Sequence, residues 1–139
     1  MIKNVIQEAR SYLGVPWRHQ GRTRKGVDCV GFILLALIKS GIKMKEIRGY
    51  ARTPDGIALK KIMDEEVTTE NIPIQEDLKV GDILLFRIRH HPQHVALVTD
   101  SCTSEFGMIH SFNGGERKVV EHDLVDYWRQ KIVAIYRLK

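Results

Sequence analysis

Cysteine is scarce in this sequence, since Cys29 and Cys102 are the only two among 139 residues. Two cysteines are too few for the disulfide framework of a small secreted domain, and their unlike surroundings give no reason to pair them. Long apolar runs are lacking as well, because the stretch from Phe32 to Ile38 is far too short to span a bilayer. We therefore expect no membrane partner and a fold that is stabilised by its hydrophobic core.

The first residues lack the unbroken apolar region of a signal peptide, because Gln7, Glu8 and Arg10 interrupt it. The expectation is a soluble protein that is cytoplasmic on synthesis. Repeats, low-complexity tracts and linkers are also absent, so the length suits one domain over residues 1–139. The net charge of +5 favours polyanions, but the basic residues are scattered and form no nucleic-acid-binding motif. We favour a solvated basic surface over a specific nucleic-acid partner.

The spacing of the apolar residues changes along the chain. Helical spacing predicts helices over residues 3–13, from Cys29 to about Gly41, and over residues 57–63, with a turn at residues 53–56. A polar stretch without a regular pattern follows. Strand-like runs then occupy residues 83–86, 95–98, 108–112, 118–121 and 132–136. Helices followed by an antiparallel sheet predict the α+β class.

Cys29 stands at the start of the apolar helix. A thiol in that position feels the positive end of the helix dipole, so we expect its pKa to be low enough to favour the thiolate. His94 and His110 each lead a strand-like run, and adjacent antiparallel strands place facing side chains about 5 Å apart. The three residues predict a Cys–His–His triad, with Cys29 as nucleophile, His94 as general base and His110 as the orienting residue.

A series of segments, taken in order, resembles the NlpC family of papain-like cysteine peptidases, whose usual members cut peptidoglycan stem peptides. These segments are residues 13–22, 28–32, 78–86, 92–98, 108–111 and 119–122, followed by residues 128–129 and 135–137. The loop at residues 13–22 resembles in particular the branch found in phage tails and gene-transfer-agent clusters. The resemblance implies a papain-like fold with a five- or six-stranded antiparallel sheet, and it assigns the same roles to Cys29, His94 and His110.

The resemblance also implies a reaction and a substrate. It predicts hydrolysis of a peptidoglycan stem peptide, at a γ-D-glutamyl bond, through an acyl-enzyme and without metal or cofactor. Phage-tail proteins are then possible partners, and the protein would be associated with a virion or a tail. Trp17 and Val30 replace the Tyr and Ser that are common in cellular members, which leaves the exact bond open.

Four residues near the nucleophile are candidates for contacts with the substrate: Asp28, Trp17, His19 and Val30. Asp28 either faces a substrate amine or caps the helix, and His19 either lines the cleft or is a solvated loop residue. Gly31 is expected to permit close packing at the helix start. We expect Cys102 to have no role in the site, and we interpret His122 as a structural or surface residue.

Other functions remain open at this point. His90, His91 and His94 form a histidine-rich tract, but His94 already belongs to the strand pattern, so a zinc site is not favoured. Three rival hypotheses are an amidase or acyltransferase that uses the same Cys–His pair, an idle tail structural protein, and a basic nucleic-acid-binding module. A substrate panel, thiol chemistry at Cys29 and a salt-dependent binding titration distinguish them.

Overall fold

The computed structural model of the chain describes residues 2–46, 56–65, 68–88 and 91–139. Residues 53–55 of the predicted turn and His90 of the histidine-rich tract lie outside these ranges. Within the ranges, no helix combines the length and the apolar character that a membrane crossing requires.

The described part of the chain contains four helices and eight strands. In chain order they are α1 (Ile2–Arg10), β1 (Arg22–Thr23), β2 (Gly26–Val27), α2 (Cys29–Lys39), α3 (Gly56–Asp64), β3 (Thr69–Ile72), β4 (Ile83–Ile88), β5 (His91–Thr99), β6 (Gly107–Ser111), β7 (Val119–Asp123), α4 (Asp126–Arg129) and β8 (Ile132–Leu138). The three predicted helices and five predicted strands are all present, with bounds that differ by a few residues.

The main sheet has six strands in the order β3-β8-β4-β5-β6-β7, and every pairing is antiparallel. This confirms the α+β class and the larger of the two expected strand numbers. β3 was not predicted, because its four residues expose Glu70 and Asn71 and carry no clear alternation. It forms one edge of the sheet by pairing with β8, and polar side chains are typical of such edges.

The two faces of the sheet bury different clusters of side chains. α1, α2 and α3 cover one face, where Tyr12 and Phe32 pack with strand residues such as Leu97. The opposite face carries a smaller cluster that includes Phe86 and, from α4, Trp128. Because successive strand residues alternate between faces, β4, β5, β6 and β8 each contribute to both clusters.

The loop before α2 is attached to the far end of the chain. Backbone hydrogen bonds join Gly14 N–H to the Val119 carbonyl at 3.0 Å, Val119 N–H to the Val15 carbonyl at 2.9 Å, and Trp17 N–H to the Arg117 carbonyl at 2.8 Å. The loop therefore extends the sheet beyond β7 at the point where the chain approaches the start of α2.

Gly31 lies where this loop passes closest to α2. A Cβ atom at this position would lie 2.3 Å from the Gly21 carbonyl oxygen and 2.5 Å from Nη1 of Arg22. The first contact is with backbone, which cannot move aside as a flexible side chain can. The expected close packing at Gly31 is therefore present, and it holds the loop against the helix start.

Gly31→Ala is expected to destabilise the protein by about 1–3 kcal/mol, because the added methyl group must push the Gly21 backbone away from α2. Urea denaturation of both proteins measures the difference. Ile38→Ala in the same helix is the control: Ile38 is 42% exposed, so its loss should change stability by about 0.5 kcal/mol or less. Equal stability of Gly31→Ala and the wild type would contradict the close approach.

Candidate active site

The first feature of the site is an opening between two strands. β5 and β6 pair from Thr99 with Gly107 to Leu97 with Ile109, and the pairing stops there although both strands continue. Cys29, the first residue of α2, is buried at this place, and the backbone N–H of Val95 is directed at its sulfur. The opening thus lets the thiol approach the backbone of Val95, the residue that follows His94.

His94 and His110 meet on the other side of the same opening. His94 pairs with Phe86 across β4 and β5, which places it on the sheet face that carries the smaller cluster. Nε2 of His94 lies 2.6 Å from Nδ1 of His110, and the two residues are only 3% and 1% exposed. The strands therefore bring together the two histidines that the sequence singled out.

An aromatic enclosure surrounds the two imidazole rings. The ring centroid of Phe112 lies 4.9 Å from that of His94, and the Trp128 centroid lies 5.8 Å from His94 and 5.3 Å from His110. Phe86 stacks on the other side of His94, with centroids 6.1 Å apart. These rings exclude water and fix the orientation of the imidazoles. Trp128 thus packs against both histidines.

Burial controls the protonation of the three residues. It lowers the pKa of His94 to about 3, and with the neighbouring rings of His94 and His122 it lowers the pKa of His110 to about 2. Burial, together with the charge of Asp28, raises the pKa of the Cys29 thiol to about 12. Backbone N–H groups of Val95, Val30 and Cys29 act in the opposite direction but do not prevail.

The expectation of a thiolate at rest was therefore wrong. The helix start does direct N–H groups at the sulfur, as expected, but loss of water around a buried anion costs more free energy than those dipoles return. The negative Asp28 next to Cys29 adds to this effect. In the structure as it stands, the thiol of Cys29 and the imidazole of His94 are both neutral.

Asp28 serves as the cap of α2. Its Oδ1 accepts a hydrogen bond from Gly31 N–H at 2.8 Å, and its Oδ2 accepts one from Gln20 N–H at 2.7 Å. Nη1 of Arg22 lies 3.3 Å from Oδ1, and the carboxylate is nearly fully buried. Of the two roles considered for Asp28, these contacts favour the helix cap.

The other candidate substrate contacts differ in burial. Trp17 and His19 are half-buried residues of the preceding loop, and Trp17 runs beside β2, where it forms a bridge with Val27. The Val30 side chain is buried in the larger core cluster, so only its backbone faces the sulfur. Cys102 is exposed and distant in sequence from these elements.

His122 was underestimated from the sequence. It lies on β7, and its Nε2 is 2.9 Å from Nε2 of His110. The register pairs Met108 with His122 and His110 with Val120, so the two histidines are diagonal neighbours on one sheet face. Positions 110, 120 and 122 share a face as soon as the hairpin register is known, and that register is the signal that was missed.

In the described ranges, no group of three or more His, Cys, Asp or Glu side chains is arranged to hold a metal ion.

The described residues also show no hydrogen bond between the Cys29 thiol and the His94 ring, whose hydrogen bond runs to His110. Catalytic contacts are often longer in unliganded proteins than in their substrate complexes.

Comparisons with known proteins point to one family. The NlpC/P60 family model matches residues 14–137. Dipeptidyl-peptidase 6 of Lysinibacillus sphaericus is 33% identical over 95 residues, which cover 68% of this chain and 28% of that protein. The chain thus spans little more than a quarter of the length of this relative.

Solved structures share the fold. An NlpC/P60 family protein from Bacillus cereus ATCC 10987 matches with a TM-score of 0.71 at 22% identity, over 99% of this chain and 40% of that one. The NlpC/p60 domain of the peptidoglycan hydrolase SagA matches with a TM-score of 0.65 at 19% identity, over 99% of both chains. With the family model covering almost the whole sequence, the resemblance to the NlpC family is confirmed, and the chain belongs to the NlpC/P60 family.

Proposed function

We propose that this chain is a cysteine peptidase that hydrolyses peptidoglycan stem peptides, with Cys29 as nucleophile, His94 as general base and His110 as orienting residue. The observation that carries the proposal is the buried 2.6 Å contact between Nε2 of His94 and Nδ1 of His110. Cys29, at the start of α2, is approached by the backbone N–H of Val95, the residue that follows His94 on β5. Two buried imidazoles in contact are costly unless both are hydrogen-bonded, and this pair is.

The use of Nε2 toward His110 determines which nitrogen of His94 reacts. Nδ1 is the nitrogen that receives the thiol proton as the sulfur of Cys29 attacks the carbonyl carbon of the substrate. The carbonyl carbon becomes tetrahedral and its oxygen takes up negative charge. His94 then donates its new proton to the departing amine, the C–N bond breaks, and a thioester to Cys29 remains.

The second half of the reaction uses the same base. His94 removes a proton from a water molecule, whose oxygen attacks the thioester carbonyl. The C–S bond breaks, and His94 returns the proton to the sulfur, so that the carboxylic acid product leaves a neutral pair. Because both partners are neutral before attack, the proton moves in the same step as the sulfur, and no stored ion pair is required.

The start of α2 supplies the stabilisation of the oxyanion. The Asp28 side chain accepts from Gly31 N–H, and the Asp28 carbonyl accepts from Phe32 N–H at 2.9 Å. The N–H groups of Cys29 and Val30 are close enough to the sulfur to lower the pKa of the thiol. Donors in this position also lie next to the oxygen of a carbonyl that the sulfur attacks.

A more specific proposal concerns the bond that is cleaved and the biological setting of the protein. We infer a γ-D-glutamyl bond of the stem peptide as the one cleaved, and a phage-tail setting in which the protein is made in the cytoplasm and reaches the wall with tail proteins. The similarity of residues 13–22 to the phage-tail branch supports this inference. Trp17 in that loop is half-buried, so part of its side chain is accessible to a substrate.

Digestion of purified muropeptides tests the reaction class. The wild type should release fragments cut within the stem peptide, and Cys29→Ala should release none, because the covalent route is lost. Cys102→Ala is the matched control, since Cys102 is exposed and lies outside the site, and its rate should equal that of the wild type. Mass spectrometry of the products identifies the bond.

Two results would contradict the proposal. Cleavage by Cys29→Ala at the wild-type rate would exclude Cys29 as the nucleophile. A wild type without cleavage of any muropeptide, but with turnover of other amides or esters, would instead indicate an amidase or acyltransferase.

The roles of the two histidines predict different losses of rate. His94→Ala removes the base and should abolish detectable turnover, whereas His110→Ala only loosens the orientation of His94 and should cost about 10²-fold in kcat. His110→Asn and His110→Gln can still accept a hydrogen bond and should recover part of that loss. Circular dichroism checks that each variant is folded. A His110→Ala variant as inactive as His94→Ala would make His110 the base.

Acid should destabilise the protein through the buried histidines. Their pKa values fall from 6.5 in the unfolded chain to about 3 for His94 and about 2 for His110. Between the folded and unfolded pKa values, the unfolded state therefore binds more protons than the folded state. The contribution of the two neutral histidines to stability is complete above pH 6.5 and is lost as the pH falls. Each histidine adds a slope of up to about 1.4 kcal/mol per pH unit.

Urea denaturation at several pH values between 4 and 7 measures this slope. His110→Asn lacks one of the two titrating histidines. The slope of its unfolding free energy against pH should therefore be smaller by the contribution of about one proton. Identical slopes for the two proteins would contradict a buried neutral His110.

A further inference from the structure

A line of hydrogen bonds continues from the proposed base to the protein surface. Nε2 of His94 meets Nδ1 of His110 at 2.6 Å, and Nε2 of His110 meets Nε2 of His122 at 2.9 Å. At the outer end, Nδ1 of His122 lies 3.0 Å from the backbone carbonyl oxygen of Asp123. Three imidazoles are thus joined in series. The last one is hydrogen-bonded to a carbonyl oxygen, which is a group that can only accept.

That end group determines the direction of every bond in the line. A carbonyl oxygen can only accept, so Nδ1 of His122 must carry the proton. In a neutral ring Nε2 of His122 then accepts, which requires His110 to donate from its own Nε2. Nδ1 of His110 is therefore the acceptor for Nε2–H of His94. The lone pair of His94 is left on Nδ1, where the mechanism needs it.

We propose that His122 is a positioning residue that, by accepting from His110, sets the tautomer of His110 and through it the tautomer of His94. The inference rests on the proposed function for its catalytic consequence, but the tautomers themselves do not depend on it. Without an acceptor at position 122, His110 has no partner that fixes its proton on Nε2. With a donor there, all bonds in the line reverse, and Nδ1 of His94 carries a proton in place of the lone pair.

The surroundings of His122 suit this role. His122 is exposed on the edge strand β7, whereas His110 is buried, so the line crosses from solvent into the aromatic enclosure. Its ring packs against Trp128, with centroids 6.4 Å apart. It also lines a polar surface pocket with Arg10, Asp100, Glu121 and Asp123. Substitutions at this edge position leave the core intact, which makes the role accessible to experiment.

The test compares two substitutions of similar length and opposite hydrogen-bonding capacity. His122→Gln retains an oxygen that can accept from His110, whereas His122→Lys can only donate. Nitrogen-15 NMR of the imidazole rings near neutral pH reports which nitrogen of each histidine carries the proton. We expect Nε2–H at His94 and His110 in the wild type and in His122→Gln. In His122→Lys we expect Nδ1–H at both.

Kinetics on the stem-peptide substrate give the second readout. His122→Lys should lose about 10²-fold in kcat with little change in KM, since a misplaced proton disables the base and leaves substrate binding intact. His122→Gln should recover most of this loss. A purely structural role for His122 would move stability in both variants but would not separate them in tautomer or in kcat.

The outcomes separate this inference from the proposed function. Nε2–H at His94 in His122→Lys, or Nδ1–H at His94 in the wild type, would overturn the role of His122 even if Cys29→Ala is inactive. The expected tautomers in all three proteins support the inference. If those tautomers are found but Cys29→Ala remains active, the proposed function fails and the line of hydrogen bonds stands as a structural property.

Discussion

The buried hydrogen bond between His94 and His110 is the constraint around which the site is built. Two imidazoles in an apolar interior each cost free energy unless their nitrogens are paired. The strands must therefore separate after Leu97 and Ile109 to make room for the rings, and Phe86, Phe112 and Trp128 must close around them. The opening that accommodates the rings is the same one that admits Cys29.

Burial of the Cys29 thiol and its position at a helix start have opposite effects on the pKa of that thiol. Exposed thiols at helix starts ionise easily because water and dipoles both support the anion. At Cys29 the water is gone, and the Asp28 cap places a carboxylate beside the sulfur. Dipoles that do not stabilise an anion at rest are still in position to stabilise the charge that develops during attack, which is where catalysis gains from them.

Much of the fold could be predicted from the sequence, because the apolar residues of α2 and of the strands follow regular periods. The exceptions have physical causes. β3 is a short polar edge strand that depends on β8 for its hydrogen bonds, and α4 is a single turn. Neither carries a periodic signal long enough to detect.

The contact between His94 and His110 was predictable from the sequence, but the electrostatics around Cys29 were not. A helix start and two strand histidines could be read from local patterns, and the structure brings His94 and His110 into contact. The depth of burial at Cys29 arises from packing between layers, which no local pattern contains. The link from His110 to His122 depends on the register of β6 and β7, which the two strand-like runs alone do not specify.

The attachment of residues 14–17 to residues 117–119 has a consequence for the growing chain. Cys29 is synthesised before His94, His110 and the segment at residues 117–119 that holds its loop, which follow it by 65, 81 and about 90 residues. Contacts so distant in sequence form late in folding. A chain that has been synthesised only as far as α2 therefore carries the proposed nucleophile without the proposed base, the aromatic enclosure or a fixed loop, and the site is assembled only after residues 117–119 and Trp128 have been made.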